Sequence, residues 1–328
     1  MYTFTSGYAG IIAAALSGFL LTFLIMGHPP TFLPRDQGRA FAVNGEKSKG
    51  KVRGTGILFI AVYCIVALIL LPVDLEFAGY LVLLFLSMLF GYLDDASKTP
   101  WKDYIKGALD LAISILAMLI FLHFNSSQIH FFGLSATLHP VVYFVLGIVL
   151  IWVSVNVVNC TDGVDGLCGS LSVISLMSFA LLVWSVTGKI PDAALRGSGE
   201  LLYAGACLLF IGVLLAYLWY NLSPSALLMG DAGSRAIGFF LAIIAMKSGH
   251  PWAFVPFCLI MILDGGLGLV KLFLLRFLKI SIFPNTRMPL HDHFRKTLNW
   301  SDPQVVGRYI ILQGLLCAGS LAILYRYL

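Results

Sequence analysis

The sequence has few charged residues, and this scarcity argues against a soluble fold. Asp, Glu, Lys and Arg make up only 11% of its 328 residues, and 59% of the residues are hydrophobic, whereas a soluble domain carries about 25% charged residues. The mean hydropathy is +0.92. The six cysteines are scattered without a Cys-x-x-Cys pair, which disfavours a disulfide framework or a zinc site and favours apolar packing. We therefore predict an integral membrane protein.

Other features are missing as well. No basic residue precedes Arg35, so the first apolar run lacks the charged start of a cleaved signal peptide. The sequence shows no long polar linker and no internal repeat of the kind that marks many transporters. A single polytopic domain over residues 1–328 is therefore predicted.

Long apolar runs fill most of the chain, and about 20 apolar residues are enough for a helix to cross the hydrocarbon of a membrane. Glycines and Pro256 in the ninth run predict a broken or bent helix there. The predicted fold is an all-α integral membrane protein with about ten transmembrane helices. The ten runs are 8–27, 55–73, 76–93, 104–124, 139–158, 166–187, 199–219, 232–249, 252–278 and 305–326.

The Lys and Arg residues are distributed unequally between the two sets of loops. If the N-terminus lies outside, 17 of the 21 fall in inside loops or span ends, and only Lys189, Arg196, Lys247 and Arg326 fall outside. Because cytoplasmic loops carry the excess of basic residues, both termini are predicted to be extracytoplasmic. The acidic motifs at the span ends then share the cytoplasmic side.

Asp94 and Asp95 end the third run and are followed by Lys98, Lys102 and Lys106. Adjacent carboxylates can bind Mg²⁺ through oxygen. Lysines spaced by four residues would form one phosphate-facing stripe on a helix. The alternative is a solvated helix end with a simple Asp–Lys pair.

Two amides and two carboxylates end the fifth run, namely Asn156, Asn159, Asp162 and Asp165. Glycines between them permit tight turns and close backbone approach. A helix cap and turn would explain one such residue, but not four at membrane depth. We therefore predict hydrogen bonding to a base or a sugar.

Asn221 ends the seventh run, and Leu228, Gly230 and Asp231 precede the eighth. Asp231 is the predicted metal ligand, because Mg²⁺ favours one or two protein carboxylates together with substrate phosphates. Asp231 or Ser234 could also cap the following helix.

His291 and His293 flank Asp292 in a loop that also holds Arg287 and Arg295. Histidines beside basic residues suit phosphate binding and proton transfer. A zinc site at His-x-His is disfavoured because no third soft ligand lies nearby in the sequence.

Asp264 lies within the ninth run, where it is predicted to bond freed backbone groups or Lys271. Acids inside membrane spans would also suit a transporter, which is the non-enzyme alternative. Coupling carboxylates in transporters lie near the bilayer midplane, whereas the other acids here lie at span ends on one side. The pattern favours an enzyme.

The motifs together resemble the polyprenyl-phosphate N-acetylhexosamine-1-phosphate transferase superfamily, and within it most closely the bacterial phospho-N-acetylmuramoyl-pentapeptide transferases. The resemblance covers nearly the whole chain. It is carried by Asp-Asp-x-x-Lys at 94–98, Asn-x-x-Asn-x-x-Asp-Gly-x-Asp-Gly-Leu at 156–167, Met-Gly-Asp-x-Gly-Ser at 229–234 and Pro-Leu-His-Asp-His-Phe at 289–294.

The resemblance implies a reaction in peptidoglycan synthesis. Undecaprenyl phosphate attacks the β-phosphate of UDP-N-acetylmuramoyl-pentapeptide and gives lipid I and UMP, with Mg²⁺ as the cofactor. The protein is then expected to be a homodimer in the bacterial plasma membrane, with no nucleic-acid partner. Sister enzymes that use UDP-N-acetylglucosamine are the nearest alternative. CDP-alcohol phosphotransferases are disfavoured, because Asp162-Gly163 is not followed by their Ala-Arg pair.

The resemblance also implies roles for individual residues. Asp94 is the candidate to orient the lipid phosphate or to accept its proton, and a covalent phospho-Asp route is a less favoured alternative. The implied catalytic residues are Asp94, Asp95, Asp231, His291 and His293. The implied substrate-binding residues are Lys98, Lys102, Lys106, Asn156, Asn159, Asp162, Asp165, Asn221, Leu228 and Gly230.

The chain departs from the family pattern in three places. The family's Lys-x-Gly-Thr-Pro-Thr-Met-Gly-Gly segment is reduced to Gly-Thr-Gly at 54–56, which leaves the choice of its lysine open among 47, 49 and 51. Leu228 stands where many members carry an aromatic residue that stacks on uracil. Asp292 replaces the central His of a His triplet, and Arg295 stands where members usually carry an acid.

Overall fold

Apolar helices joined by short loops make up most of the molecule. The computed structural model describes residues 8–38, 45–187 and 198–327, so the predictions for the N-terminus, Arg39, Lys189 and Arg196 lie outside the described residues. The helices are α1 (Tyr8–Gly27), α2 (Gly56–Leu70), α3 (Leu75–Ala96), α4 (Asp103–Phe124), α5 (Pro140–Thr161), α6 (Leu167–Thr187), α7 (Ser198–Asn221), α8 (Gly230–Lys247), α9 (Pro251–Phe257), α10 (Leu259–Leu278), α11 (Leu290–Thr297) and α12 (Asp302–Leu324).

All ten predicted runs are helical in the described residues, but fewer of them qualify as membrane spans. Seven helices are long and apolar enough to cross a membrane, or eight if α9 and α10 form one bent span. Of the other two, α2 has only 15 residues, which rise about 22 Å against a hydrocarbon thickness of about 30 Å. The other, α8, carries three charged residues, Asp231, Arg235 and Lys247.

Helix α8 lies at the centre of the molecule between α3 and α5. Every residue from Gly230 to Met246 is buried. Close approach explains part of this, because a Cβ atom at Gly91 of α3 would overlap the backbone of α8 at Asp231. The charged side chains of α8 are neutralised by neighbours, with Arg235 bound to Asp110 and Lys247 bound to Glu76.

The predicted break in the ninth run is present. Helices α9 and α10 are bent by 70°, directly after Pro256, whose ring nitrogen has no hydrogen to donate. The glycine-containing segment Ile262–Gly266 that follows is π-helical. This wider turn carries Asp264 into the protein interior, where it is 1% exposed.

The all-α prediction is wrong at one place. Strands β1 (Gln128–Phe131) and β2 (Leu134–Thr137) form an antiparallel hairpin between α4 and α5. Phe132 and Gly133 at its turn have φ values of 45° and 78°, as a two-residue type I′ turn requires. Gly133 is the residue in the sequence that indicates a turn, but the flanking segments are too short to show a clear alternation of apolar and polar residues.

Candidate active site at one end of the bundle

The helix ends that carry the motifs meet around one polar cavity of about 1120 Å³. Seven of the predicted site residues line it: Asn159, Asp162, Asp165, Asn221, Leu228, Gly230 and His291. Eight do not line it: Asp94, Asp95, Lys98, Lys102, Lys106, Asn156, Asp231 and His293. The motifs therefore differ in how many of their members reach the cavity.

Asp95 is enclosed and holds the start of α8. Its side chain is 0% exposed, its Oδ2 accepts a hydrogen bond from the Ala232 amide at 3.1 Å, and its Oδ1 accepts one from Arg53 Nε at 2.9 Å. Gly230 has a φ of +68° and lies so close that a Cβ atom there would overlap the Asp95 carboxylate. Asp95 and Gly230 therefore position Asp231, and the Asp95 carboxylate is not placed to reach a substrate.

Arg53 joins this cluster to the cavity. It lines the cavity and pairs with Asp36, Asp95 and Asp231 at 3.2, 2.9 and 3.7 Å. Burial alone would lower the pKa of the Arg53 guanidinium, but the carboxylates of Asp95, Asp231 and Asp36 raise that pKa above its usual value. Arg53 is thus a fixed cation at the edge of the cavity.

The predicted stripe of three lysines is wrong. Helix α3 ends at Ala96 and α4 begins only at Asp103, because Pro100 disfavours helical backbone at the residue before it. Lys98 and Lys102 are exposed in or at the end of this loop. Lys106 alone reaches the site, where it pairs with Asp94 and, at 3.3 Å, with Asp231.

Asp231 is surrounded by basic groups. Its Oδ2 lies 3.3 Å from both Lys106 Nζ and Arg235 Nε, and its Oδ1 lies 3.7 Å from Arg53 Nη2. Among the residues that the structure describes, the ion pairs around Asp231 connect five carboxylates and three cations. The members of this cluster are Asp36, Asp94, Asp95, Asp110, Asp231, Arg53, Lys106 and Arg235.

Lys51 marks a second corner of the cavity. Its Nζ donates to Ser225 Oγ at 2.8 Å and to Asp165 Oδ2 at 3.3 Å, and the same carboxylate accepts the Ser225 amide at 2.9 Å. Lys49 is exposed and does not line the cavity, and the side chain of Lys47 lies outside the described residues. Lys51 is therefore the lysine of this segment that the fold brings to the site.

The amide residues of the motifs form hydrogen bonds within the protein. Asn221 accepts the Gly166 amide at 2.9 Å and donates to the Leu227 carbonyl at 2.8 Å, so it ties the α5–α6 loop to the α7–α8 loop. Asn159 donates to Ser234 Oγ at 2.9 Å and also lines the cavity. Asn156 donates to the Trp152 carbonyl within its own helix.

His291 is held by a buried acid from the bent helix. Its Nδ1 and its backbone amide both contact Asp264 at 2.7 Å, and Tyr309 donates to the same carboxylate at 3.1 Å. Because a carboxylate only accepts, Nδ1 carries the hydrogen and Nε2 is left to exchange a proton. That nitrogen packs against Gly163, where a Cβ atom would overlap it. The prediction that Lys271 pairs with Asp264 is wrong, since Lys271 donates to the carbonyls of Phe283 and Thr286 instead.

His293 has different surroundings. Residues two positions apart on a helix lie on opposite sides of it. His293 Nδ1 accordingly contacts the Arg287 amide and the Thr297 hydroxyl rather than the cavity. Asp292 is buried, with Oδ1 3.3 Å from Arg295 and Oδ2 3.7 Å from Arg287. Asp292 thus pairs with both arginines.

This geometry changes the expected effect of Asp292→His. The sequence alone predicts that the exchange is tolerated, because it restores the family triplet. In the structure it would remove the carboxylate that pairs with both arginines, although Arg295 keeps Asp302 at 2.8 Å. A hydrogen bond to a charged group contributes about 1.5–3 kcal/mol. We expect turnover to fall about tenfold or more in Asp292→His and to stay close to native in Asp292→Glu. Equal rates for the native protein and Asp292→His would contradict the pairing.

Several contributors were not predicted from the sequence, namely Asp36, Arg53, Asp110, Arg235 and Tyr309, and Lys51 was one of three candidates. Arg53 and Lys51 lie in a basic loop that also has the pattern of a topology determinant. Asp110 and Arg235 were visible as charges inside apolar runs, which is the signal that could have found them.

The apolar bundle and the charged cavity at its end define a polytopic membrane protein with an enzyme-like site. The model of glycosyl transferase family 4 matches residues 77–249, and the chain belongs to this family. The predicted transferase class and the resemblance drawn from the motifs are thereby confirmed.

Its relatives include proteins named phospho-N-acetylmuramoyl-pentapeptide-transferase. The one from Treponema pallidum (strain Nichols) is 37% identical, over 97% of this chain and 91% of its own. Those from Bartonella quintana and Clostridium acetobutylicum are each 30% identical, over 95% and 94% of this chain and 92% and 96% of their own.

Proposed function

We propose that the protein transfers phospho-N-acetylmuramoyl-pentapeptide from its UDP-activated form to undecaprenyl phosphate, giving lipid I and UMP. The observation that carries this proposal is the cavity, whose walls combine fixed cations with the motifs of the family. Lys51, Arg53, Arg287 and Arg295 line it together with His291. A pyrophosphate needs charge neutralisation and positioning more than covalent chemistry, and the lining is suited to both.

Mg²⁺ is part of the proposal, and the residues fit it. The cluster around Asp231 offers five carboxylates, and Mg²⁺ prefers oxygen donors. Within the described ranges no three His, Cys, Asp or Glu side chains converge as a metal cage. This suits an ion held by Asp231 and substrate phosphates. When bound, Mg²⁺ would neutralise charge on the pyrophosphate and the leaving UMP.

We assign each residue a role according to its position in or beside the cavity. Asp165, held by Lys51, accepts hydrogen bonds from the nucleoside, and Arg53 contacts phosphate. Asp94 orients the lipid phosphate or accepts its proton. Its Oδ1 is fixed by the Trp101 amide at 2.7 Å, and its Oδ2 pairs with Lys106. His291 moves a proton at Nε2. Leu228 offers an aliphatic wall in place of the usual aromatic stack.

The proposed location is the plasma membrane, with the cavity on the cytoplasmic side, both termini outside and a homodimeric assembly. The basic residues at the site end of the bundle and the positive-inside rule support this orientation. It also places the lipid acceptor at the membrane surface while the nucleotide sugar stays in water.

Single cysteines in a background without native cysteines test the orientation. Thr99 at the site end and Ala136 in the hairpin are both exposed. We expect an impermeant maleimide added outside intact cells to label Ala136→Cys and to leave Thr99→Cys unlabelled until the membrane is opened. Labelling of Thr99→Cys from outside would reverse the orientation.

The function is tested by incubating the purified protein with undecaprenyl phosphate, Mg²⁺ and one UDP-sugar at a time, and measuring UMP. We expect release with UDP-N-acetylmuramoyl-pentapeptide and little with UDP-N-acetylglucosamine. Preference for UDP-N-acetylglucosamine would instead support the sister activity.

A further inference from the structure

The two basic residues of helix α8 each pair with a carboxylate of another helix, and only one of them touches the candidate active site. Arg235 pairs with Asp110 of α4, one turn after Asp231. Lys247 pairs with Glu76 of α3 at the other end of the helix, about 24 Å from Asp231 at 1.5 Å per residue. The Arg235–Asp110 pair is not part of the chemistry proposed for the site.

The Arg235 guanidinium is fixed on both sides. Its Nη1 lies 2.7 Å from both oxygens of Asp110, and its Nε donates to Asp231 Oδ2 at 3.3 Å. The Asp110 and Arg235 side chains are only 4% and 7% exposed. Because a guanidinium is planar and always charged, the contact with Asp110 sets the direction in which Nε points.

The two oxygens of Asp231 consequently have different neighbours. Oδ2 faces the interior, where Arg235 and Lys106 hold it. Oδ1 faces Arg53, which lines the cavity. Holding Oδ2 therefore turns Oδ1 toward the cavity side.

We propose that Arg235 and Asp110 are positioning residues, which orient the Asp231 carboxylate so that Oδ1 can bind a divalent cation. The inference rests on the proposed metal-binding role of Asp231. Asp110 also neutralises the charge of Arg235, because an unneutralised guanidinium beside Asp231 would repel a cation. Mutation of residues that hydrogen-bond and orient a metal ligand typically lowers metal affinity by about 10–100-fold.

The double variant Asp110→Leu/Arg235→Leu tests this inference in the full-length protein in lipid nanodiscs. It leaves the net charge unchanged, and buried ion pairs can be replaced by apolar residues without loss of stability. The probe is Mn²⁺ alone, with its dissociation constant measured by electron paramagnetic resonance. We expect the dissociation constant to rise about tenfold or more, while the melting temperature and the affinity for UMP without metal stay near native values.

Two further variants make the result specific. Glu76→Gln/Lys247→Met removes the other ion pair of α8 and should leave Mn²⁺ affinity unchanged. Arg235→Lys keeps the charge without the planar fork, so its Mn²⁺ affinity should fall between the native protein and the double variant. It is also the variant to measure if the double variant does not fold.

Unchanged Mn²⁺ affinity in the folded double variant, or an equal loss in the Glu76/Lys247 control, would overturn the inference. Asp231→Asn separates this from a failure of the proposed function. If Asp231→Asn weakens Mn²⁺ binding and the double variant does not, only the positioning role is wrong. If Asp231→Asn leaves binding unchanged, the metal role of Asp231 is wrong and this inference falls with it.

Discussion

Asp231→Asn should lower the rate of UMP release by about 10³-fold or more, because a metal ion contributes several kcal/mol of transition-state stabilisation and 1.36 kcal/mol is a factor of ten. An amide is a poorer Mg²⁺ ligand than a carboxylate. It would also leave Arg53, Lys106 and Arg235 without the anion they share. We expect the remaining activity to have lost its dependence on Mg²⁺ concentration.

Asp103→Asn is the matched control for this prediction. Asp103 also lies at the site end of the bundle, but its side chain is 82% exposed and its partner Arg276 is 3.5 Å away. An exposed pair of this kind contributes little, so turnover and Mg²⁺ dependence should stay native. Retained turnover in Asp231→Asn, with an unchanged Mg²⁺ optimum, would show that the metal is held elsewhere.

His291→Ala should lower turnover by about 10²-fold or more, the range for loss of a positioned acid or base. His293→Ala should have a small effect, although the sequence alone predicts equal effects for both. The reason is that only His291 lines the cavity and is held by Asp264. Steady-state UMP release for the two variants decides between these expectations.

Asp264→Asn should reproduce most of the His291→Ala loss without removing the imidazole. An amide nitrogen facing Nδ1 would favour the tautomer with its hydrogen on Nε2. Tyr309→Phe removes one hydrogen bond to Asp264 and should be milder. Equal losses for His291→Ala and His293→Ala would mean that the His loop works as a unit and that the Asp264 contact is incidental.

Much of the fold could be predicted because apolar runs directly report helices in a membrane protein. All ten runs are helical, and the ninth is bent, as its glycines and Pro256 predict. The span count was less secure, since α2 is short and α8 carries charges that only neighbouring helices neutralise. The hairpin gave too short a pattern to be recognised.

The composition of the site was predicted better than the arrangement of its residues. Neighbours on a helix point about 100° apart, so Asp94 turns to Lys106 while Asp95 turns to the start of α8. The same geometry separates His291 from His293. The pairing of Arg53 with three acids depends on contacts between distant segments, and no local pattern reports those.

The most direct test of the central claim follows the β-phosphate of the donor. UDP-N-acetylmuramoyl-pentapeptide labelled with ³²P at the β-phosphate is incubated with the purified protein, undecaprenyl phosphate and Mg²⁺, and the lipid and aqueous phases are then separated. The account predicts that the label moves to the lipid phase while unlabelled UMP appears in the water in equal amount. Label that stays in the aqueous phase as UDP or inorganic phosphate would contradict it. UDP would mean that the bond between the sugar and the β-phosphate was broken, and inorganic phosphate would mean that the β-phosphate was not transferred to the lipid.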